Sequence, residues 1–139
     1  MIPGLNVDLE TESQIWAVFA GWADHFRASL KSGGIQYLLS EYEELVFSVE
    51  TESCNHEPFG RRHTGKDWQT CCGISYEYKN DISIRDAIEV ILSLASNHIT
   101  DELKTKIASL DDRLYALYEH CPERHGAWWH QGFPRGIIE

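Results

Sequence analysis

Residues 35–57 read IQYLLSEYEELVFSVETESCNHE, and this stretch decides the fold. Its apolar residues Ile35, Leu38, Leu39, Tyr42, Leu45, Val46 and Val49 recur at the three- and four-residue spacing of one helix face. Such a stripe must face a core. The remaining positions and the tail that follows carry Glu41, Glu43, Glu44, Glu50, Glu52 and Glu57, with no lysine or arginine between Glu41 and Glu57. One element therefore joins a core-facing side to a concentrated negative surface. A charge run is most simply a solvated face; the sharper reading is a docking surface for a basic partner.

Outward from this element, the same periodicity recurs. Ile15, Phe19, Trp22, Phe26 and Leu30 predict a first helix, capped by Thr11 or Ser13, running to Lys31 and ended by Ser32-Gly33-Gly34. Trp16, Val18 and Ala23 widen its apolar face. So short a break implies that the second helix folds back antiparallel on the first. Ile84, Ala87, Ile88, Ile91, Leu92 and Ala95 predict a third helix from Ser83 to about His98, with Arg85 and Glu89 paired at i, i+4. Leu103, Ile107, Leu110, Leu114 and Leu117 predict a fourth from Thr100 or Asp101 to about His120, closed by Pro122. Between the second and third helices the period vanishes from Thr51 to about Lys79, where Cys72–Tyr78 alternates well enough for a short strand. The tail residues Trp128, Trp129, Phe133, Ile137 and Ile138 are too apolar to remain in water and are expected to pack back on the helices. The expectation is an all-α helical bundle of about four helices, a single domain over 1–139, with one long irregular connection and an aromatic C-terminal tail packed on the bundle.

Composition narrows the function classes. The 139 residues are 42% hydrophobic and 24% charged, the balance of a globular domain. No apolar run approaches the length of a membrane span, and the N-terminus has no basic and hydrophobic signal, which predicts a cytoplasmic protein. The net charge is −10. Residues 1–57 hold 10 acids against 2 bases, Arg27 and Lys31; residues 58–139 hold 12 acids against 10 bases. Nucleic-acid affinity depends on neutralising phosphates, so direct binding to DNA or RNA is not expected. An acidic half is suited instead to steering a basic protein partner.

Chemistry-bearing groups are scattered. Cys54, His56, His63 and Cys71 or Cys72 lie close in the long connection, and Cys121, His125 and His130 lie near the C-terminus. Neither group has the close paired spacing typical of zinc ligands, so no metal or other cofactor is expected and the cysteines read as free thiols. A zinc-binding protein built on loop 54–72 stays open as an alternative, and so does a helical adaptor subunit of a larger complex. Arg61-Arg62-His63-Thr64-Gly65-Lys66 is only faintly phosphate-friendly, and no glycine-rich phosphate loop or nucleophile motif is present. The alternative expectation is that the same bases fold back on the neighbouring glutamates. No enzyme is predicted.

The run Leu110-Asp111-Asp112-Arg113-Leu114, followed by Trp128-Trp129 and Pro134-Arg135-Gly136, resembles small bacterial helical proteins. With the acidic profile of the whole chain, it is similar to the immunity proteins of bacterial toxin systems. The resemblance implies an inhibitor that binds a toxin domain, commonly a basic nuclease, and blocks its active site without catalysis. Glu41, Glu43, Glu44, Glu50 and Glu52 would supply the charge complementarity, and Tyr37 and Tyr42 aromatic contact at the edge of the stripe.

Overall fold

The computed structural model describes residues 1–55, 81–120 and 126–134. It is an all-α helical bundle, as the periodicity predicts, with one short β-ribbon. Four α-helices are described: α1 (Leu9–Val18), α2 (Asp24–Asn55), α3 (Ser83–Leu94) and α4 (Asp101–Tyr115). Single 3-10 turns cover Phe19–Gly21, Ser96–His98 and Trp128–His130. Strands β1 (Tyr118–His120) and β2 (Gly132–Pro134) pair antiparallel, with Glu119 opposite Phe133. The long connection with its alternating Cys72–Tyr78 lies outside the described residues.

The chain divides into two compact units. The first comprises Met1–Tyr42 with Ile84–Ile107, the second Glu43–Ser83 with Ala108–Glu139. In the first, α3 buries Ile84, Ala87, Ile88 and Ile91, all on its predicted stripe, and α2 buries Phe26, Leu30, Ile35, Leu38, Leu39 and Tyr42. Ile35, Leu38, Leu39, Ile88, Ile91, Leu92, Ile99, Leu103 and Ile107 enclose a wholly apolar seam. Its close packing excludes water, which would find no polar partner there. Arg85 is buried on α3 while one guanidinium nitrogen reaches Glu89 at 3.0 Å, the predicted i, i+4 pair. In the second unit Leu45, Val46, Val49, Leu110, Leu114 and Trp129 are buried.

The expected first helix is broken in two. Asp8, rather than Thr11 or Ser13, caps α1: its carboxylate accepts from the Thr11 backbone N–H at 2.7 Å. The helix then tightens into the turn Phe19–Gly21, and Trp22 is extended (ψ 164°). Gly21 has poor helix propensity, and the break lets the rings of Phe19, Trp22 and Phe26 meet at centroid distances of 4.8–5.2 Å. Consequently Val18 (47% exposed) and Ala23 do not widen the buried face.

The expected turn at Ser32-Gly33-Gly34 is a one-residue kink. Only Gly34 leaves helical geometry, at φ 60° and ψ −142°, a region glycine alone enters readily. The kink frees the Ile35 N–H, which donates to the Pro3 carbonyl at 3.0 Å. Residues 2–5 are thereby fastened to α2, with Ile2 and Leu5 fully buried. Beyond the kink the helix runs to Asn55 rather than stopping near Thr51.

The fourth helix is shorter than predicted. Thr100 caps α4, its hydroxyl accepting from the Leu103 N–H at 3.2 Å. The helix ends at Tyr115, and Tyr118–His120 form a strand instead of a last helical turn. Pairing with Gly132–Pro134 supplies their backbone partners, so tertiary context overrides the helical period here.

Candidate functional site

The acidic stretch of α2 resolves into residues with different roles. Glu43 and Glu44 stand exposed, while Glu41 is half-buried. Phe47, one turn further on, is 64% exposed. Glu43, Glu44, Phe47, Ser48 and Arg113 line one open groove in the second unit.

Glu50 is engaged within the chain. Arg113 of α4 donates from Nε to one Glu50 oxygen at 3.0 Å and from a terminal nitrogen to the other at 2.6 Å. This two-pronged pair lowers the Glu50 carboxyl below its usual range, through hydrogen bonding more than charge. The same bonds raise Arg113, and Glu43 adds attraction from nearby. A cation from α4 therefore already occupies one end of the acidic groove. Whether the loop bases Arg61, Arg62 and Lys66 also meet the glutamates lies outside the described residues.

Of the two tyrosines expected at the edge of the stripe, one is in the core and the other is half-buried. Tyr42 is completely buried and belongs to the core, since its position in the i, i+3, i+4 series turns it inward with Leu38 and Leu39. Tyr37 is half-buried beside Phe26, with ring centroids 6.1 Å apart. Burial, and then Glu41, push its phenol up. Glu52 lies in the last turns of α2, and its side chain is outside the described residues.

Phe47, Ser48 and Arg113 are the groove residues that the periodicity did not single out. For Phe47 a signal existed: it is a large apolar side chain at a position off the buried stripe. For Arg113 there was none, because its pairing joins residues far apart in sequence.

A second aromatic cluster forms where the tail meets α4 in the same unit. Trp128 packs edge-on against Tyr115 at 5.4 Å, Tyr118 at 5.5 Å and Trp129 at 5.6 Å. The Tyr118 hydroxyl donates to the Trp129 carbonyl at 2.9 Å. The expected docking of the tail holds for this segment; Ile137 and Ile138 lie outside the described residues.

Among the described residues no three His, Cys, Asp or Glu side chains are placed to hold a metal ion. Cys54 lies in the last turn of α2. His56, His63, Cys71, Cys72, Cys121 and His125 lie outside the described residues. No described helix is long and apolar enough to cross a membrane. No family model, curated protein or solved structure matches the chain.

Proposed function

We propose that this chain binds a basic protein partner through the exposed face of α2, and that the partner is a toxin domain held inactive without catalysis. The observation that carries the reading is Phe47, exposed in one groove with Glu43 and Glu44 on a helix whose apolar stripe is packed. An exposed aromatic within charged surroundings has the composition of a binding hot spot: an apolar anchor supplies affinity while the charges steer encounter and set register. A toxin that acts on nucleic acid has a positive cleft shaped for phosphates, and paired carboxylates can occupy it in their place. An immunity role of this kind places the protein in the bacterial cytoplasm.

The test is co-expression with the polypeptide encoded directly upstream. That neighbour should arrest growth alone, be harmless with this protein, and co-purify with it. Association should weaken steeply with salt, mainly through the on-rate. The double variant Glu43→Lys/Glu44→Lys should slow association by roughly tenfold or more. A harmless neighbour that does not co-purify removes the toxin reading, and unchanged binding by the double variant removes the acidic face.

A further inference from the structure

Residues 1–57 hold only two bases, Arg27 and Lys31, and both line one open cleft of about 600 Å3 in the first unit. Glu12 and Trp16, one turn apart on α1, line it from one side. Asp24, Arg27, Ala28 and Lys31 recur at i, i+3, i+4 and i+7 on α2 and line it from the other. Ala28 is exposed and is the smallest side chain on that face, so it leaves room beside the indole and the two cations.

The polar groups of the cleft are unequally engaged. Glu12 accepts the Ile2 N–H at 2.9 Å and holds the Met1 nitrogen at 3.3 Å. Asp24 accepts from a terminal nitrogen of Arg27. Both carboxylates are therefore occupied within the chain. Three features are left over among the described residues. Lys31 has no ion partner, Trp16 meets no other ring, and Arg27 Nε is a buried donor without an acceptor. A buried N–H costs free energy while it is unpaired, so an acceptor brought by a ligand is favoured there.

We propose that this cleft binds a carboxylate carried on a flat aromatic ring. One carboxylate oxygen meets the Lys31 ammonium. The other meets the Arg27 guanidinium, whose half-exposed side chain turns to give Nε–H its missing acceptor. The ring lies against the indole of Trp16. Pockets that hold small ligands span roughly 300–1,000 Å3, and this cleft falls inside that range.

Charge selects the anion. A single negative charge matches the one unpaired cation, Lys31. A phosphate dianion would set a second charge against Glu12 and Asp24 with no cation to answer it. An uncharged ring would cover Trp16 and leave Lys31 and Arg27 Nε without acceptors. The cleft lies apart from the groove of Phe47, and the proposal does not depend on the basic-partner reading.

The experiment uses the full chain, isotopically labelled and followed by NMR at neutral pH. It is titrated with phenylpropionate, with the corresponding amide and with phenyl phosphate. Phenylpropionate should shift the Arg27 Nε–H and Trp16 indole N–H signals saturably. The amide should bind about tenfold more weakly or less, and phenyl phosphate about threefold more weakly. Ala28→Leu keeps every charge and fills the cleft, and should abolish the saturable shifts. Lys31→Gln should cost phenylpropionate about threefold to tenfold in affinity. Backbone spectra of both variants report that the fold is intact. Equal binding of the amide or of phenyl phosphate would overturn the carboxylate. Undiminished binding by a folded Ala28→Leu chain would overturn the cleft, and no saturable shift from phenylpropionate would overturn both. Acetylated Gly-Gly-Phe with a free carboxylate separates the sources: tighter binding than phenylpropionate assigns the ligand to a peptide chain end, weaker binding to a free acid.

Discussion

Gly34 carries a conformational demand that no other residue meets. A Cβ built on it would lie 2.0 Å from the Pro3 carbonyl oxygen and 2.7 Å from its carbon, and both atoms are backbone that cannot rotate away. Gly34→Ala must therefore distort the kink, the N-terminal segment or the Ile35–Pro3 hydrogen bond. A loss of about 2–5 kcal/mol is expected from strain plus the broken bond, measured as a lower midpoint in urea. Gly21→Ala is the control: nothing lies within 4 Å of its would-be Cβ, and stability should change by less than about 1 kcal/mol. The need for glycine at the end of the first predicted helix was legible in Ser32-Gly33-Gly34. That the chain would kink and resume helix immediately was not, because the deciding contact comes from Pro3, distant in sequence. Tyr42 shows the opposite case. Its spacing placed it on the stripe, and complete burial follows from that spacing; assigning it also to the rim asked one side chain to face two ways.

At the scale of the element, α2 was the most readable part of the chain. All seven stripe residues from Ile35 to Val49 are buried, because a long amphipathic period leaves one way to hide apolar surface. The ends of elements were less readable: Tyr115 instead of His120 ends α4, and a ribbon partner decided it. The link from α4 to α2 within the second unit, Arg113 to Glu50, gives a prediction with a definite sign. Glu50 is lowered in the folded chain, so the stability it contributes is whole at neutral pH. It is lost as the pH falls below the ordinary carboxyl value of 4.5 toward the lowered one. Both side chains are more than a third accessible to water, so the pair is screened. Arg113→Ala should cost about 0.5–1 kcal/mol at pH 7, and the difference from the parent chain should vanish near the acid end of a pH series of denaturant midpoints.

For the whole molecule, charge asymmetry was the most informative property of the sequence, and it pointed to the acidic half without resolving the site inside it. The groove became visible only when exposed Glu43, Glu44 and Phe47 could be separated from ion-paired Glu50 and buried Tyr42. Side-chain pairing across distant positions, which sequence spacing does not encode, made that separation. The attachment of the N-terminal segment is also a property of the folded chain rather than of any local pattern, since residues 1–10 carry no helical period apart from the start of α1. Removing residues 1–5 exposes what Ile2 and Leu5 cover and takes away the acceptor for the Ile35 N–H. The shortened chain should be less stable by about 3–6 kcal/mol, read from thermal or urea unfolding.

The Pro3–Ile35 bond also bears on the order of events during synthesis. Ile2 and Leu5 leave the ribosome before the part of α2 that they fasten to has been made. At roughly 5–20 residues per second, they wait some seconds as exposed apolar side chains before that part of α2 emerges. Two side chains that are buried in the finished protein are, for that interval, apolar surface that a chaperone can grasp.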